Sequence, residues 1–437
     1  MRVQAIDEEL FPPDGIQELK QKILFSLLYF SEGAPIGFLW FALPTQLRIA
    51  NVSIEQITWL ASVLVLPWTF KFLWAPLVDM IQGDRWNFRH WIWSTQLLMG
   101  LTLLPLFWLD LATQYSTLSV FLLLHAVCAA TQDVAIDGYC VSVTQPGQRG
   151  QYNAWMQMGM MSGRAAMGGG ALLISQFIGL RAVVVLLIVC TTFSGIFLKF
   201  HARNSLPATD DQQRKRNIST TALRFLEIFR ERNTWIGLAF AGLGGAAFKS
   251  LEVFYGPYLI DRGIAEHTIG WFTMLPFTGS MIAGTIVGGW LADRLGSIRI
   301  AAISLTILAC LVIALGFLDW QTRGIAFNGT LAILAVIAVF IGVFTSSSYA
   351  LFMDISRKDL GASQFSTFMG ATNGCESWSV NLSGRIIETH GYPMAMGWMG
   401  FFSLLSLPLL YFLPGKRPIE SQSHGGQPIA EKPVPVE

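Results

Sequence analysis

The stretch GGWLADRLGSIR, residues 288–299, decides the fold of this chain. It ends a long apolar run that is rich in small residues, and it places Asp293 directly before Arg294 and close to Arg299. A carboxylate at a helix end can hold basic groups at the edge of a membrane, and such contacts can break when the helices move apart. We therefore predict that these three residues belong to a gate between helices.

The same order of residues occurs earlier in the chain. In APLVDMIQGDRWNFRHW, residues 75–91, Asp79 follows another apolar run and precedes Arg85 and Arg89. Two copies of one loop, each after a series of apolar segments, are typical of membrane proteins that are built from two related units. We assign these three residues to the same predicted gate.

The composition places the chain in a membrane. Of its 437 residues, 53% are hydrophobic and 13% are charged, and the mean hydropathy is +0.50. Apolar runs of about 20 residues recur, which is the length of a helix that crosses a ~30 Å hydrocarbon core. Their continuity favours helices over barrel strands. The sequence thus predicts an all-α polytopic membrane protein with 12 transmembrane helices, at residues 21–47, 54–80, 89–109, 117–143, 150–178, 180–200, 234–260, 267–292, 298–318, 328–354, 361–386 and 393–413.

Lysine and arginine are distributed unevenly between the two sides of the predicted helices. With the N-terminus inside, most of the 29 basic residues fall in the inner segments, whereas the outer loops contain Arg48, Arg181, Arg262 and Arg323. Cytoplasmic loops of membrane proteins carry an excess of Lys and Arg. Both termini are therefore predicted to be cytoplasmic.

A long polar segment divides the predicted helices six and six. Its second part, STTALRFLEIFRERN, mixes apolar and basic residues as an amphipathic helix on a membrane surface does. The end of the chain is rich in proline and glycine, a composition typical of disorder. The expected organisation is a cytoplasmic N-terminal segment (1–20), a six-helix bundle (21–200), a cytoplasmic linker with an amphipathic helix (201–233), a second six-helix bundle (234–413) and a disordered cytoplasmic tail (414–437).

Small residues four apart occur in the fifth and eighth predicted helices. They are Gly159 and Gly163 in the fifth helix, and Gly284 and Gly288 in the eighth. This spacing lets helix backbones approach closely, and ordinary static packing is one interpretation. In a six-plus-six arrangement the fifth and eighth helices would meet across the halves, so we also predict that these glycines form a sliding gate.

Ionisable side chains lie near the middle of several predicted helices. Inserting each of them in charged form costs on the order of 2.5–3.5 kcal/mol, so each is expected to have a counter-charge or a functional role. Five acids face three bases in this set, and carboxylates left without a counter-charge can carry protons. For the residues toward the inner side there is an alternative to a role in transport: they form ion pairs that only stabilise a closed gate. The predicted substrate or proton site consists of Glu32, Lys71, Asp133, Asp137, Arg164, Lys249, Glu252 and Glu376.

Depth in the membrane suggests how these charges pair. Glu32 lies about ten residues, and Lys71 about nine, from the inner ends of their helices, so at ~1.5 Å per residue they share a level. Residues three apart on one helix can also meet. The expected pairs are Glu32–Lys71, Arg164–Asp133 and Lys249–Glu252, and Glu376 has no evident partner.

Three longer motifs carry a resemblance to a known family. They are TFKFLWAPLVD (69–79), ATQDVAIDGYCVSVTQPGQRG (130–150) and ASQFSTFMGATNG (362–374). They resemble segments of the AmpG-type muropeptide permeases and their acetyl-CoA transporter relatives, a branch of the major facilitator superfamily. The resemblance implies a twelve-helix fold in a bacterial inner membrane and ion-driven uptake of a polar solute, with Arg149 as a further gate residue. The positions that match the branch are Lys71, Asp79, Gln132, Asp133, Asp137, Arg149, Gly150 and Gln364.

The leading functional hypothesis is a secondary active transporter. It would take up a polar or anionic solute, such as a muropeptide, an acyl-CoA compound or a siderophore, together with protons by alternating access. The alternative is a non-transporting assembly, pigment-delivery or sensor protein on the same scaffold. An enzyme is disfavoured, because no nucleotide loop, H-E-x-x-H or G-x-S-x-G motif occurs. The expected partners are a small molecule, protons and the lipid bilayer; we expect no nucleic acid, metal or cofactor, and a monomer.

Overall fold

Helices make up all regular secondary structure in the part of the chain that the structure describes. This computed structural model describes residues 13–82, 86–144, 148–201, 227–322, 327–357 and 361–413. Most of the predicted N-terminal segment, most of the predicted linker and the predicted tail lie outside the described residues. The all-helical class that the composition predicts is confirmed.

The helices are labelled α1 to α12 in chain order. We call residues 13–201 the N-half. Its first four helices are α1 (Pro13–Gly37, the π turn Phe38–Ala42 and Leu43–Ile49), α2 (Ile54–Leu64, Leu66–Phe70, the 3-10 turn Lys71–Leu73 and Ala75–Met80), α3 (Phe88–Leu103 and the 3-10 turn Leu104–Phe107) and α4 (Tyr115–Val143). Helices α5 and α6 are the two arms of Arg149–Thr192, and Ser194–His201 continues α6. We call residues 227–413 the C-half. Its helices are α7 (Arg232–Gly244 and Ala246–Asp261), α8 (Glu266–Phe272, the π turn Thr273–Phe277 and Thr278–Leu295), α9 (Ser297–Thr322), α10 (Phe327–Ile355), α11 (Gly361–His390) and α12 (Tyr392–Leu405 and Leu407–Tyr411).

The helices follow the predicted apolar segments closely at most of their ends, but α1 begins at Pro13 rather than at residue 21, and α9 and α11 continue to Thr322 and His390, four residues beyond the predicted ends. Gly179 separates α5 from α6 with a φ of 82° and a ψ of 163°, a backbone conformation that suits glycine. Within the described ranges, nine helices are long and apolar enough to cross a membrane, and one of these runs from Gln151 to Lys199 through that break.

Prolines alter the two helices that carry π turns. Pro44 follows the π turn Phe38–Ala42 of α1 by two residues, and Pro276 lies inside the π turn of α8. A proline has no N–H to donate and its ring crowds the preceding turn, so the backbone widens locally. A wider turn changes the directions of the side chains that it contains, and Trp40 lies inside the π turn of α1.

Gly159 and Gly163 let α5 touch α1. A Cβ atom on Gly159 would lie 1.9 Å from the carbonyl oxygen of Ser26, and one on Gly163 would lie 2.5 Å from that of Phe30. Both contacts stay within the N-half. The predicted position of these two glycines, facing α8, is therefore wrong, because the four-residue spacing does not identify which neighbour a helix face meets.

Gly284 and Gly288 are likewise used inside one half, where α8 packs against α10. A Cβ on Gly284 would lie 2.0 Å from the Val339 carbonyl oxygen, and one on Gly288 would lie 2.5 Å from the Val343 Cα. A contact between α5 and α8 does exist. It is made by Gly169, where a Cβ would lie 2.3 Å from the backbone nitrogen of Met274. A gating role for the four predicted glycines stays a prediction.

The bundle has two faces, which we name by the chain ends. At the terminal face the chain enters α1 and leaves α12, and Lys22 donates a hydrogen bond to Gln151 of α5 at 2.7 Å. At the opposite face lie the α1–α2 and α7–α8 turns. Between the faces, an apolar core spans both halves, with the Phe41 ring centroid 6.0 Å from that of Tyr255. The predicted charged site lies around this core.

Candidate functional site

Five ionisable residues near the middle of helices in the N-half form a group that we call the N-terminal acid cluster: Tyr29, Glu32, Lys71, Asp133 and Asp137. Lys71, in the 3-10 turn of α2, forms an ion pair with Oδ2 of Asp133 on α4. The predicted pair of Lys71 with Glu32 is therefore wrong. Residues 66–80 of α2 pack against α4, which brings the ammonium group to Asp133, although Trp68 in the same stretch contacts Trp40 of α1.

Tyr29 of α1 lies between the two aspartates of α4. Its hydroxyl donates a hydrogen bond to Oδ1 of Asp137 at 2.6 Å and lies 3.4 Å from Oδ1 of Asp133. Like charges four residues apart on a helix repel each other, and a donor between them reduces this repulsion. The sequence reasoning missed Tyr29, although its position three residues before Glu32 places it on the same face of α1.

Glu32 is the least compensated charge of the cluster. Its side chain lies next to Trp68 and within electrostatic range of Asp133, Lys71 and Asp137. The residue is 1% exposed, and among the described residues its Oε2 atom has no hydrogen-bond partner. A buried acceptor without a donor is unfavourable. The cluster thus contains three carboxylates and one ammonium group.

A second group, the central charge cluster, joins the two halves: Trp40, Arg164, Lys249, Glu252 and Glu376. Nζ of Lys249 lies 2.5 Å from Oε2 of Glu376, and the indole N–H of Trp40 donates to the other oxygen of that carboxylate. Glu376 therefore has partners, which corrects the expectation that it has none. The predicted pair of Lys249 with Glu252 is also wrong, because α11 packs against α7 here and brings Glu376 to the lysine.

Arg164 of α5 reaches the C-half. Its Nη2 atom lies 3.9 Å from Oε1 of Glu252 on α7, and its guanidinium group lies 5.2 Å from the ring centroid of Phe41. The predicted pair of Arg164 with Asp133 is wrong. At this level the α5 backbone is pressed against α1, where a Cβ on Gly37 would lie 2.4 Å from the Arg164 carbonyl oxygen, and the side chain extends toward α7 instead.

The predicted gate residues of the C-half lie at the terminal face. Asp293 and Arg294 end α8, Arg299 begins α9, and Gly296, with a φ of 95°, makes the bend between the helices. The guanidinium group of Arg294 stacks 4.2 Å from the Trp290 ring centroid. A cation stacked on an aromatic ring is typical of residues that anchor a helix end at a membrane interface.

The corresponding residues of the N-half are described only in part. Arg89 lies in the first turn of α3, where its backbone N–H donates to the Asn87 side chain at 3.1 Å. Arg85 and the side chains of Asp79 and Arg149 lie outside the described residues. The gate that the repeated loop predicts therefore stays a prediction.

At the opposite face, polar contacts tie the two halves together. Arg48 Nε lies 2.7 Å from Oδ1 of Asp261, and the Tyr392 hydroxyl donates to Oδ2 of the same carboxylate at 2.7 Å. Gln46 of α1 and Ser175 of α5 both donate to Glu266 at the start of α8. We call these contacts the opposite-face clasp: Gln46, Arg48, Ser175, Asp261, Glu266 and Tyr392.

A bundle of apolar helices whose charged centre is shared by two halves is the architecture of a polytopic membrane transporter. Sequence comparison identifies the family. The chain belongs to the Major Facilitator Superfamily, whose profile it matches over residues 25–383 and again over 261–435. It is therefore an integral membrane transporter of a small molecule rather than an enzyme.

Individual relatives narrow the resemblance. The chain is 23% identical to the anhydromuropeptide permease of Escherichia coli K12 over 390 residues, which cover 86% of this chain and 76% of that protein. It is 21% identical over 404 residues to a Rickettsia typhi protein that carries the AmpG 3 transporter name, covering 88% and 94% of the two chains. The resemblance to AmpG-type permeases that the motifs indicate is thus confirmed.

A solved structure supports the fold independently of sequence. The crystal structure of a D-xylose–proton symporter matches with a TM-score of 0.72 at 10% sequence identity, and the match covers 91% of this chain and 98% of that one. At this identity the likeness establishes the fold alone. The major facilitator fold that the sequence predicts is confirmed.

Proposed function

We propose that this protein is a proton-coupled importer that takes up a polar or anionic solute by alternating access across a bacterial plasma membrane. The proposal includes twelve membrane crossings in two six-helix bundles, cytoplasmic termini and a monomeric transporter. One observation carries the proton coupling. Glu32 is buried in the middle of α1, beside two further carboxylates and one lysine, and one of its oxygens has no hydrogen-bond partner in the described part of the chain.

The proton chemistry follows from the charges of the N-terminal acid cluster. A carboxylate inside the membrane is stable when it is paired with a cation, when it accepts hydrogen bonds or when it is protonated. Lys71 can neutralise one acid at a time and pairs here with Asp133. Exchange of Lys71 between Asp133 and Glu32 would let the cluster bind a proton in one state and release it in another.

The central charge cluster is the proposed solute site. Arg164 and Lys249 supply cations that can bind a carboxylate or a phosphate group. Because the cluster takes side chains from both halves, a solute bound there contacts both and can favour their closure around it. The candidate solutes are muropeptides, acyl-CoA compounds and siderophores.

The opposite-face clasp supports an inward-facing arrangement. Basic residues predominate in the loops of the terminal face, which makes that face cytoplasmic in this proposal. The clasp then closes the periplasmic side. In the next step of the cycle these contacts would separate, and the gate residues of the terminal face would come together.

The experiment that tests the proposal is uptake by the full-length protein in proteoliposomes under an imposed pH gradient. Anhydromuropeptide, acetyl-CoA and a ferric siderophore are offered in separate assays. One charge that crosses 100 mV supplies about 2.3 kcal/mol, enough for a solute gradient of about 50-fold. We expect one of these solutes to accumulate only while the gradient is present. Accumulation that ignores the gradient contradicts proton coupling, and the absence of any uptake contradicts the solute classes.

Replacing Glu32 tests the assignment of the proton site. Glu32→Gln should abolish gradient-driven accumulation, because the amide cannot take up and release a proton, but it should preserve solute exchange without a gradient. The control is Glu55→Gln, since Glu55 is a glutamate with a 54% exposed side chain at the opposite face. If Glu32→Gln lowers only the yield of folded protein and leaves accumulation intact, the carboxylate has a structural role instead.

A further inference from the structure

The mid-depth ion pairs are not equivalent. Lys71 with Asp133 and Lys249 with Glu376 are in direct hydrogen-bonding contact. Nη2 of Arg164, in contrast, lies 3.9 Å from Oε1 of Glu252, which is too far for a hydrogen bond. The Arg164–Glu252 pair joins α5 to α7, and it is an open pair.

Both members of this pair have unused hydrogen-bonding capacity. The Glu252 side chain is 6% exposed, and within the described part of the chain it accepts no hydrogen bond. The Nε atom of Arg164 is buried and has no partner there either. Buried charged groups in such a position are unfavourable unless something supplies the missing donors and acceptors. A bound solute with both signs of charge can do so.

We infer that the open pair binds the zwitterionic end of the solute, with a carboxylate on Arg164 and an ammonium group on Glu252. This inference rests on the proposed role of the central charge cluster as the solute site. An α-amino acid group carries its two charges on one carbon, at a separation of a few ångströms that is comparable to the 3.9 Å between Nη2 and Oε1. It can therefore lie alongside the pair with each charge facing its opposite.

The charge balance favours a zwitterion over a simple anion. The central charge cluster contains two basic and two acidic side chains, and Lys249 is already held by Glu376 at 2.5 Å. An anion on Arg164 alone would leave Glu252 buried without a counter-charge. A group with one charge of each sign satisfies Arg164 and Glu252 together and adds no net charge to the membrane interior.

The test measures binding to the purified full-length protein in detergent, by tryptophan fluorescence, with no gradient. The compounds are L-alanine, D-alanine, L-leucine, L-phenylalanine and L-glutamate, each with its N-acetyl derivative and its amide. We expect at least one free amino acid to bind tenfold or more tightly than both of its derivatives. The inference is overturned if no free amino acid binds more tightly than its derivatives.

Two variants locate the preference within the pair. Glu252→Gln should abolish the preference over the N-acetyl derivative, and Arg164→Gln should abolish the preference over the amide. If both variants weaken all compounds equally, the pair only ties the halves together and the inference is wrong. Glu252→Asp keeps the charge, so it should retain the preference at lower affinity even if Glu252→Gln does not fold.

The outcome is separable from that of the proposed function. Binding in detergent requires no proton gradient, so a failure of proton coupling in proteoliposomes leaves the zwitterion preference intact. Conversely, gradient-driven uptake by a protein that binds the free amino acids no better than their derivatives would retain the transporter and discard the zwitterionic group.

Discussion

At the scale of single residues, Tyr29 allows two carboxylates to lie one turn apart inside the N-half. Its hydroxyl donates to Asp137, and Asp133 is held by Lys71. Hydrogen bonds to charged acceptors contribute about 1.5–3 kcal/mol when they are buried. This one phenol therefore has a large effect on the charge state of the cluster in which we place the proton.

Tyr29→Phe should shift the pH dependence of uptake. Without the hydroxyl the ionised form of Asp137 loses a donor, so binding of a proton by the cluster that contains Asp137 and Glu32 becomes relatively more favourable. A loss of about 1.4 kcal/mol corresponds to one pH unit. We expect the half-maximal rate of uptake, measured in proteoliposomes over a series of pH values, to move toward higher pH by about one unit.

Tyr115→Phe provides the matched control for this substitution. The Tyr115 hydroxyl also makes a 2.6 Å hydrogen bond, but it donates to the neutral backbone carbonyl of Gln56 at the opposite face. Its removal should leave the pH profile in place. If Tyr29→Phe and Tyr115→Phe behave alike, the phenol has no special connection with the titrating group.

The sequence identifies which charges lie inside the helices but not how they pair. Glu32 and Lys71 do lie at similar depth, yet Lys71 contacts Asp133 because its part of α2 packs on α4. Position along a helix follows from 1.5 Å per residue. The direction in which a side chain points across the bundle depends on helix packing, which residue spacing does not specify.

At the scale of helices, length and apolarity predict position well, because a span of about 20 apolar residues has few alternative placements. Local changes of helix type are different. The π turn Phe38–Ala42 brings Trp40 to Glu376 of the other half, and a regular helical register gives no indication of this contact. The prolines at positions 44 and 276 are the available signals, but a proline does not specify the kind of distortion it causes.

Gly284→Ala should destabilise the packing of α8 against α10. The new Cβ would lie 2.0 Å from the backbone oxygen of Val339, so the two helices must move apart. Overpacking of this kind costs about 1–3 kcal/mol. We expect a lower melting temperature for the detergent-solubilised variant than for the parent protein.

Gly279→Ala is the control on the same helix. Nothing lies within 4 Å of a Cβ at this position, and alanine favours a helix over glycine by about 1 kcal/mol. This variant should melt at the same temperature as the parent or at a slightly higher one. Equal melting temperatures for both alanine variants would mean that α8 and α10 are not in close contact at Gly284.

At the scale of the whole molecule, the opposite-face clasp joins the two halves at one side of the bundle. Arg48 and Asp261 are far apart in sequence and lie at helix ends, so spacing gives no reason to pair them. The repeated loop instead predicts a gate at the terminal face. The sequence thus predicts the two-unit plan and one of its gates, whereas the contacts that close the other face depend on how the halves meet.

Arg48→Gln should weaken the clasp and increase the population that is open at the opposite face. The Arg48–Asp261 ion pair is about three-quarters buried, and Tyr392 donates a hydrogen bond to the same carboxylate. Loss of the ion pair should therefore destabilise the closed form by about 1 kcal/mol and change the ratio of open to closed molecules about fivefold. Spin labels on exposed Ala112 and His267, in a chain without its native cysteines, report the separation by pulsed electron resonance. Arg385→Gln is the control, because Arg385 and Glu55 lie 3.8 Å apart with side chains 65% and 54% exposed, a pair that contributes little. We expect a longer distance component for Arg48→Gln and the parent distribution for Arg385→Gln; identical distributions for both variants would mean that the clasp does not hold this face closed.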